Sequence, residues 1–253
     1  MAEYKADMHI HSSYSWDSDM QISTIIKEME QKKLKYFALT DHIEFGHDPV
    51  KKVVDNIKRR NHEIDKLQEN TNIKIIKGVE ISEPHRYKKE TETLLAKVKD
   101  IDVVLGSIHH LYDLPLHMIP DTRGNLDYYL LEIAKMIQES PIDVVAHLDY
   151  LKRVFKMYRS EPFLTESILV AMIEKDIALE INTSGTRRHV CDNTFPNRTI
   201  IEEYIKLGGS KVTFGSDAHR ENELYDNIES TSENLKELKL TPGVIINHEF
   251  KNI

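Results

Sequence analysis

Cysteine is nearly missing from this chain. Cys191 is the only one in 253 residues, so no intramolecular disulfide can form and no thiolate zinc motif is available. Cys191 itself, in a loop and without a partner, reads as a space-filling residue. No apolar run approaches the roughly 20 residues a membrane helix needs. No positive leader followed by an apolar stretch follows Met1. A cytoplasmic address is therefore the expectation. Basic runs are lacking too: 34 Lys and Arg against 42 Asp and Glu leave a net charge of −8. That argues against a nucleic-acid surface, so any strong anion binding must come from local groups such as metal ions or a few arginines. No Gly-x-Gly-x-x-Gly follows the first strand and there is no Walker loop, so a nucleotide site lacks its fingerprint. No low-complexity segment, linker or composition break divides the sequence, and one domain over residues 1–253 is expected.

What is present is alternation. Apolar residues make up 40% of the chain, enough for a sizeable core. Short apolar runs at 36–40, 73–80, 102–107, 143–147, 177–181 and 211–215 read as strands, several of them apolar almost throughout, as strands covered on both faces tend to be. Between them lie stretches of helical period. Ile22, Ile25, Ile26 and Met29 share a face, with Ser23 or Thr24 available as the cap. Further stripes run from Val53 to Leu67, Leu130 to Ile137, Ile168 to Ile173 and Ile200 to Ile205. The third stops at Ser140-Pro141 and the last at Gly208-Gly209. Gly243 to Ile246 adds a last short strand. About seven strand–helix alternations at this length favour a parallel (β/α) barrel over a doubly wound sheet.

Polar residues gather at the ends of those strands. His9 and His11 stand two apart, so on an extended strand both imidazoles project from one face. Asp217 and His219 repeat that spacing after Gly215-Ser216. His42 follows the second strand, Glu80 ends the third, His109 follows the fourth and His147 ends the fifth. His109 and His110 point opposite ways on a strand, so at most one of them is expected to ligate. Each residue alone is compatible with a cap, a turn or an exposed strand end. Together they follow the rule that catalytic residues of such barrels collect at the C-terminal ends of strands. Imidazoles with carboxylates and no thiolate suit zinc, manganese or iron better than calcium. The donor count exceeds the needs of one tetrahedral ion and implies two or three metals, with Glu80 able to bridge. Ions roughly 3.5–4 Å apart are typical of phosphoester hydrolysis.

At these residues the sequence resembles the PHP (polymerase and histidinol phosphatase) superfamily. The motifs are Asp7-x-His9-x-His11, Thr40-Asp41-His42, Gly78-Val79-Glu80, Gly106-Ser107-Ile108-His109, Ala146-His147 and Gly215-Ser216-Asp217-Ala218-His219, in the family's order. The resemblance implies a distorted (β/α)7 TIM-like barrel holding a trinuclear metal centre. By the family pattern His9, His11, Glu80 and Asp217 would hold one ion, Glu80, His109 and His147 a second, and His42 and His219 a third with the residue at position 17. Many members carry histidine there. This chain has Asp17, in a run from His11 to Ser18 that looks like the histidinol-phosphatase branch. Asp7 reads as a residue orienting a ligand histidine.

The resemblance further implies a metal-dependent phosphatase acting on L-histidinol phosphate in histidine biosynthesis, with Asp217 or a metal-bound water returning a proton to the leaving alcohol. A phosphate monoester also needs cationic groups, and arginine suits it through bidentate hydrogen bonds. Glu180-Ile-Asn-Thr-Ser-Gly-x-Arg187 looks like a histidinol-phosphatase segment, making Arg187 the first choice and Arg159 the second. Arg153, Arg188 and His189 read as unremarkable, and His47, His62, His85, His117 and His248 as surface residues. The alternatives are a phosphoesterase of other specificity, for protein phosphotyrosine, sugars or nucleotides, and a non-catalytic subunit of a nucleic-acid enzyme. A complete ligand set and the −8 charge disfavour the second. No membrane or nucleic-acid partner is expected.

Overall fold

The computed structural model describes residues 4–155, 165–187 and 193–253. The elements, in chain order, are β1 (Ala6–Ile10), α1 (Ile22–Gln31), β2 (Tyr36–Leu39), β3 (His42–Ile43), α2 (Val50–Gln68), β4 (Lys74–Ser82), α3 (Lys88–Lys97), β5 (Val103–Ser107), β6 (His110–Leu111), β7 (Leu114–Pro115), α4 (Arg123–Glu139), β8 (Val144–Val145), α5 (Thr165–Glu174), β9 (Ala178–Asn182), α6 (Arg198–Lys206), β10 (Lys211–Gly215), α7 (Ile228–Asn234), β11 (Thr241–Ile246) and β12 (Glu249–Asn252).

The fold is α/β with a mostly parallel sheet. Strand order is β1-β2-β4-β5-β8-β9-β10-β11-β12, with β3 paired to β4. Only the final β11–β12 pair of this sheet is antiparallel. A separate two-stranded hairpin, β6–β7, stands beside the sheet. The two ends of the strand order also meet near the site. The His11 N–H donates to the Ala218 carbonyl (3.0 Å) and the Asp217 N–H to that of His9 (2.8 Å), in parallel register just beyond β10.

Strands β1, β5, β8 and β9 are buried at every position, and β5 and β8 accordingly read as apolar runs. The expected strands fall within a few residues of the observed ones, except that β8 is only Val144–Val145 and His147 lies beyond it. Helix α1 begins where Ile22, Ile25, Ile26 and Met29 turn inward, but its cap is not Ser23 or Thr24. Gln21 occupies that position and makes no side-chain cap bond. Thr122 and Asn197 cap α4 and α6, each accepting the N–H of the residue three further on. Gly208, at φ +99°, lets the chain leave α6, a conformation costly for any residue with a Cβ. Helix α3 buries only Thr91 and Leu94, too weak a stripe to read from sequence. Among the described residues no helix is long and apolar enough to cross a membrane.

Candidate metal centre

The C-terminal ends of β1, β4, β5, β8 and β10 converge, and their polar residues form three groups of donors. In the deepest, His9, His11 and Glu80 are fully buried. His9 Nε2 lies 3.0 Å from His11 Nε2, 3.4 Å from Glu80 Oε2 and 3.6 Å from Asp217 Oδ1. His11 Nε2 lies 3.2 Å from Asp217 Oδ1 and 3.6 Å from Glu80 Oε2. In the second group Glu80 Oε1 meets His147 Nε2 at 2.9 Å and His109 Nε2 at 3.4 Å. In the third, at the rim, His219 Nε2 lies 3.2 Å from Asp17 Oδ2 and 3.3 Å from His42 Nε2. His42 Nε2 is 3.5 Å from the same Asp17 oxygen. Glu80 thus turns one oxygen to the first group and the other to the second.

The donor atoms fit cations better than they fit one another. Glu180 holds His9 Nδ1 at 2.6 Å. Ser15 Oγ, which donates to Asp41, faces His11 Nδ1 at 3.2 Å. His9 Nε2 and His11 Nε2 stand 3.0 Å apart, so that once both rings are neutral with Nδ1 protonated their lone pairs converge on one point between the rings. His42 Nδ1 stands 2.8 Å from Glu80 Oε2, yet neither atom has a hydrogen-bond partner. Buried lone pairs left in this state are costly, and a divalent ion satisfies several at once. Imidazole and carboxylate donors without thiolate suit borderline divalent ions.

Several residues that hold this arrangement stand in or beside the motifs but are given no role by the sequence. Glu180 grips the His9 ring, and its other oxygen accepts the His147 backbone N–H at 2.7 Å. Glu180 opens the segment that points to Arg187, and its place as a carboxylate within β9 is a second signal. A Cβ on Gly215 would lie 2.4 Å from Glu180 Oε1 and 2.5 Å from His9 Cβ, so the close approach of β9 and β1 needs glycine there. Asp41 accepts from Ser12 and Ser15 and pairs with Arg60 at 3.1 Å, both ends fully buried. Ser82 Oγ holds His109 Nδ1 at 2.7 Å. His147 and Asp217 have φ of +28° and +54°, held there by the Glu180 bond and by the bond to the His9 carbonyl.

Other expectations change. Asp7 acts on the His9 backbone rather than on an imidazole ring. Its carboxylate is taken by the backbone N–H groups of Ser216 (2.9 Å), Tyr225 (3.0 Å) and His9 (3.3 Å), so it ties β1 to the chain after β10. Burial would raise the Asp217 pKa, but His9, His11 and His219 outweigh it and hold the carboxyl well below the usual range. Arg187 Nη2 donates to the carbonyls of Ser216 (2.9 Å) and Asp217 (3.3 Å), while Nη1 has no hydrogen-bond partner. Lys152 is buried against Asp149 (2.8 Å), and half-buried Arg153 folds over the Tyr150 ring. His85 is buried, not on the surface. The buried carboxylate of Glu132 needs partners, and His85 is one of them at 3.0 Å. Arg159, Arg188, His189 and Cys191 lie outside the described residues.

The chain matches the family model for the PHP domain over residues 7–184. The chain belongs to the PHP domain family. A Thermotoga maritima protein named probable histidinol-phosphatase is 32% identical over 232 residues, covering 91% of each chain. A Clostridium acetobutylicum protein of the same name is 29% identical over 249 residues, covering 93% of this chain and 94% of its own. Among solved structures, the Lactococcus lactis histidinol phosphate phosphatase complexed with zinc, L-histidinol and phosphate superposes with a TM-score of 0.81. It covers 98% of this chain and 99% of its own at 22% identity, and so supports the PHP fold.

Charge in this PHP site has a measurable consequence. Burial would lower the pKa values of His9, His42 and His109, but the surrounding carboxylates reverse this. Glu180, Asp217 and Glu80 raise His9 well above its ordinary value, Glu80 and Asp17 raise His42 to about 9, and Glu80 and Glu44 raise His109. Without bound cations these rings carry protons at pH 7, and a metal must displace them. Zinc titrated into stripped protein at pH 7 is expected to release protons. Calorimetry in buffers of different ionisation enthalpy would show it, and an enthalpy that does not change with buffer would contradict it.

Proposed function

We propose that this chain is a metal-dependent histidinol-phosphatase, hydrolysing L-histidinol phosphate to L-histidinol and phosphate in histidine synthesis. The observation that carries the reading is the convergence of nine side chains on three donor groups, with Glu80 shared between two of them. The relatives of matching length that bear this name add to it. In this reading residues 1–253 form a single phosphoesterase domain, and the meeting of β1 with the chain after β10 supports a distorted seven-stranded (β/α) barrel.

Three divalent ions would be held by His9, His11, Glu80 and Asp217, by Glu80, His109 and His147, and by Asp17, His42 and His219. Zinc is the metal named with the Lactococcus lactis structure; manganese and iron suit the same donors. Such ions supply Lewis acidity toward phosphoryl oxygens and a nucleophile at neutral pH. The protein's part is positioning. Glu180 and the Asp41–Ser15 pair fix His9 and His11 with Nε2 facing inward. Arg187, anchored on the Ser216 and Asp217 carbonyls with Nη1 3.8 Å from Asp226 Oδ2, is the cation proposed to meet the phosphate.

Trp16, the only tryptophan, stands at the rim with 76% of its surface exposed, its ring centroid 6.4 Å from that of His42. An indole face in water beside the centre suits the imidazole ring of L-histidinol, at about 0.5–1.5 kcal/mol for such a stack. Trp16→Ala is expected to raise KM for L-histidinol phosphate about tenfold with kcat nearly unchanged, since about 1.4 kcal/mol is tenfold. Steady-state phosphate release checks this, and an unchanged KM would remove Trp16 from recognition. A panel of L-histidinol phosphate, phosphotyrosine peptide and sugar phosphates tests the specificity itself. A preference of about a hundredfold for L-histidinol phosphate in kcat/KM is expected. A stronger preference for phosphotyrosine would transfer the chain to the other reading.

A further inference from the structure

Beside the three donor groups the rim holds a further set of metal donors that they do not use. Glu44 opens a turn in which the His47 N–H donates to the Glu44 carbonyl at 3.1 Å. The turn folds the His47 ring back, and its Nε2 lies 3.4 Å from Glu44 Oε2. His110, on β6, reaches the same place from the hairpin. One donor atom each from Glu44, His47 and His110 lie within 4.8 Å of one another. His110 faces away from the cluster that its neighbour His109 joins. Glu83 accepts the His110 backbone N–H at 2.8 Å, and its second oxygen stands 3.4 Å from His110 Nδ1. A carboxylate at Nδ1 favours the tautomer with its lone pair on Nε2, the arrangement common behind metal-bound imidazoles.

We propose that Glu44, His47 and His110 form an accessory divalent-metal site at the rim, distinct from the three donor groups. Two imidazoles and a carboxylate are the donor set of zinc and similar borderline ions. The site binds more weakly than the buried groups. It has three protein donors, and the His47 side chain is 71% exposed. Its position gives it influence, because Glu44 Oε1 also lies 3.6 Å from Nδ1 of His109. An ion that takes Glu44 as ligand draws it from His109, so occupancy is felt in the second donor group. The ion also ties the 44–47 turn to the β6–β7 hairpin.

Equilibrium dialysis against rising zinc, with metal counted per chain, tests the proposal on the metal-loaded protein. Wild type is expected to take up one more ion at high zinc than His47→Ala or His110→Ala. His47→Ala should keep the tightly held ions and its turnover at low zinc. His47 is on the surface, so this variant should fold normally. Equal metal counts in wild type and both variants would overturn the proposal. So would loss of tightly held ions from His47→Ala, since the sites would then not be distinct. The count does not depend on which phosphate ester the enzyme prefers, so it can fail while the assigned activity stands.

Discussion

Glu80→Gln is expected to lower phosphate release from L-histidinol phosphate by about three orders of magnitude or more, equivalent to roughly 4 kcal/mol of lost transition-state stabilisation. Five imidazoles surround this side chain. Glu80 is fully buried, with His147 and His109 beside Oε1 and His42, His9 and His11 beside Oε2, all within 3.6 Å. Burial would raise its pKa, but His42, His9 and His109 outweigh that and hold it well below the usual range, so it is a carboxylate throughout. Glutamine keeps the shape and loses the charge and one acceptor. Two donor groups share Glu80, so both lose a ligand, and metal content should fall along with turnover. Turnover and bound metal measured on the same preparation check this. Turnover within tenfold of wild type would mean that Glu80 is not shared between ions.

The second large effect concerns stability. Arg60→Met should cost about 3–5 kcal/mol, the range for removing one partner of a buried ion pair. At roughly 2–4 °C per kcal/mol for a chain of this size, the melting temperature falls by about 10 °C. Arg60 lies in the middle of α2 yet is fully buried, donating to Asp41 (3.1 Å) and Asn61 (2.9 Å). Burial would raise the Asp41 pKa, but Arg60 and the Ser12 hydrogen bonds reverse this and lower it. A carboxylate whose pKa is lowered by folding contributes stability above its ordinary value of about 3.9 and loses it as pH falls through the folded value. The gap between wild type and Arg60→Met should therefore be wide at pH 7 and shrink in acid. Thermal melts across pH check both parts, and a gap that does not depend on pH would mean that packing rather than charge is lost.

Much of the strand plan is visible in the sequence because strands buried on both faces are apolar almost throughout, as in Val103 to Gly106. The donor residues are visible for a related reason: a histidine or carboxylate ending such a run breaks its pattern. What escapes is whatever depends on contacts distant in sequence. Arg60 sits in Lys58-Arg59-Arg60, a basic run with nothing in its spacing to single out one member, and only packing against Asp41 reveals its role. Glu180 looks like a blemish in β9 until His9 is placed beside it. The family motif draws attention to Asp7, but motif position does not reveal that three backbone N–H groups occupy its carboxylate. Nor could spacing show that Glu44 and His47 meet His110, which lies more than sixty residues further along.

The most direct measurement of the central claim, that this site is a multinuclear metal centre for phosphate-ester hydrolysis, is phosphate release from L-histidinol phosphate during stepwise reconstitution of chelator-stripped enzyme, with bound metal counted at every step. Release should be absent from the stripped protein, rise as the donor groups fill, and level off near three tightly held ions per chain. Full turnover by the stripped enzyme would contradict it.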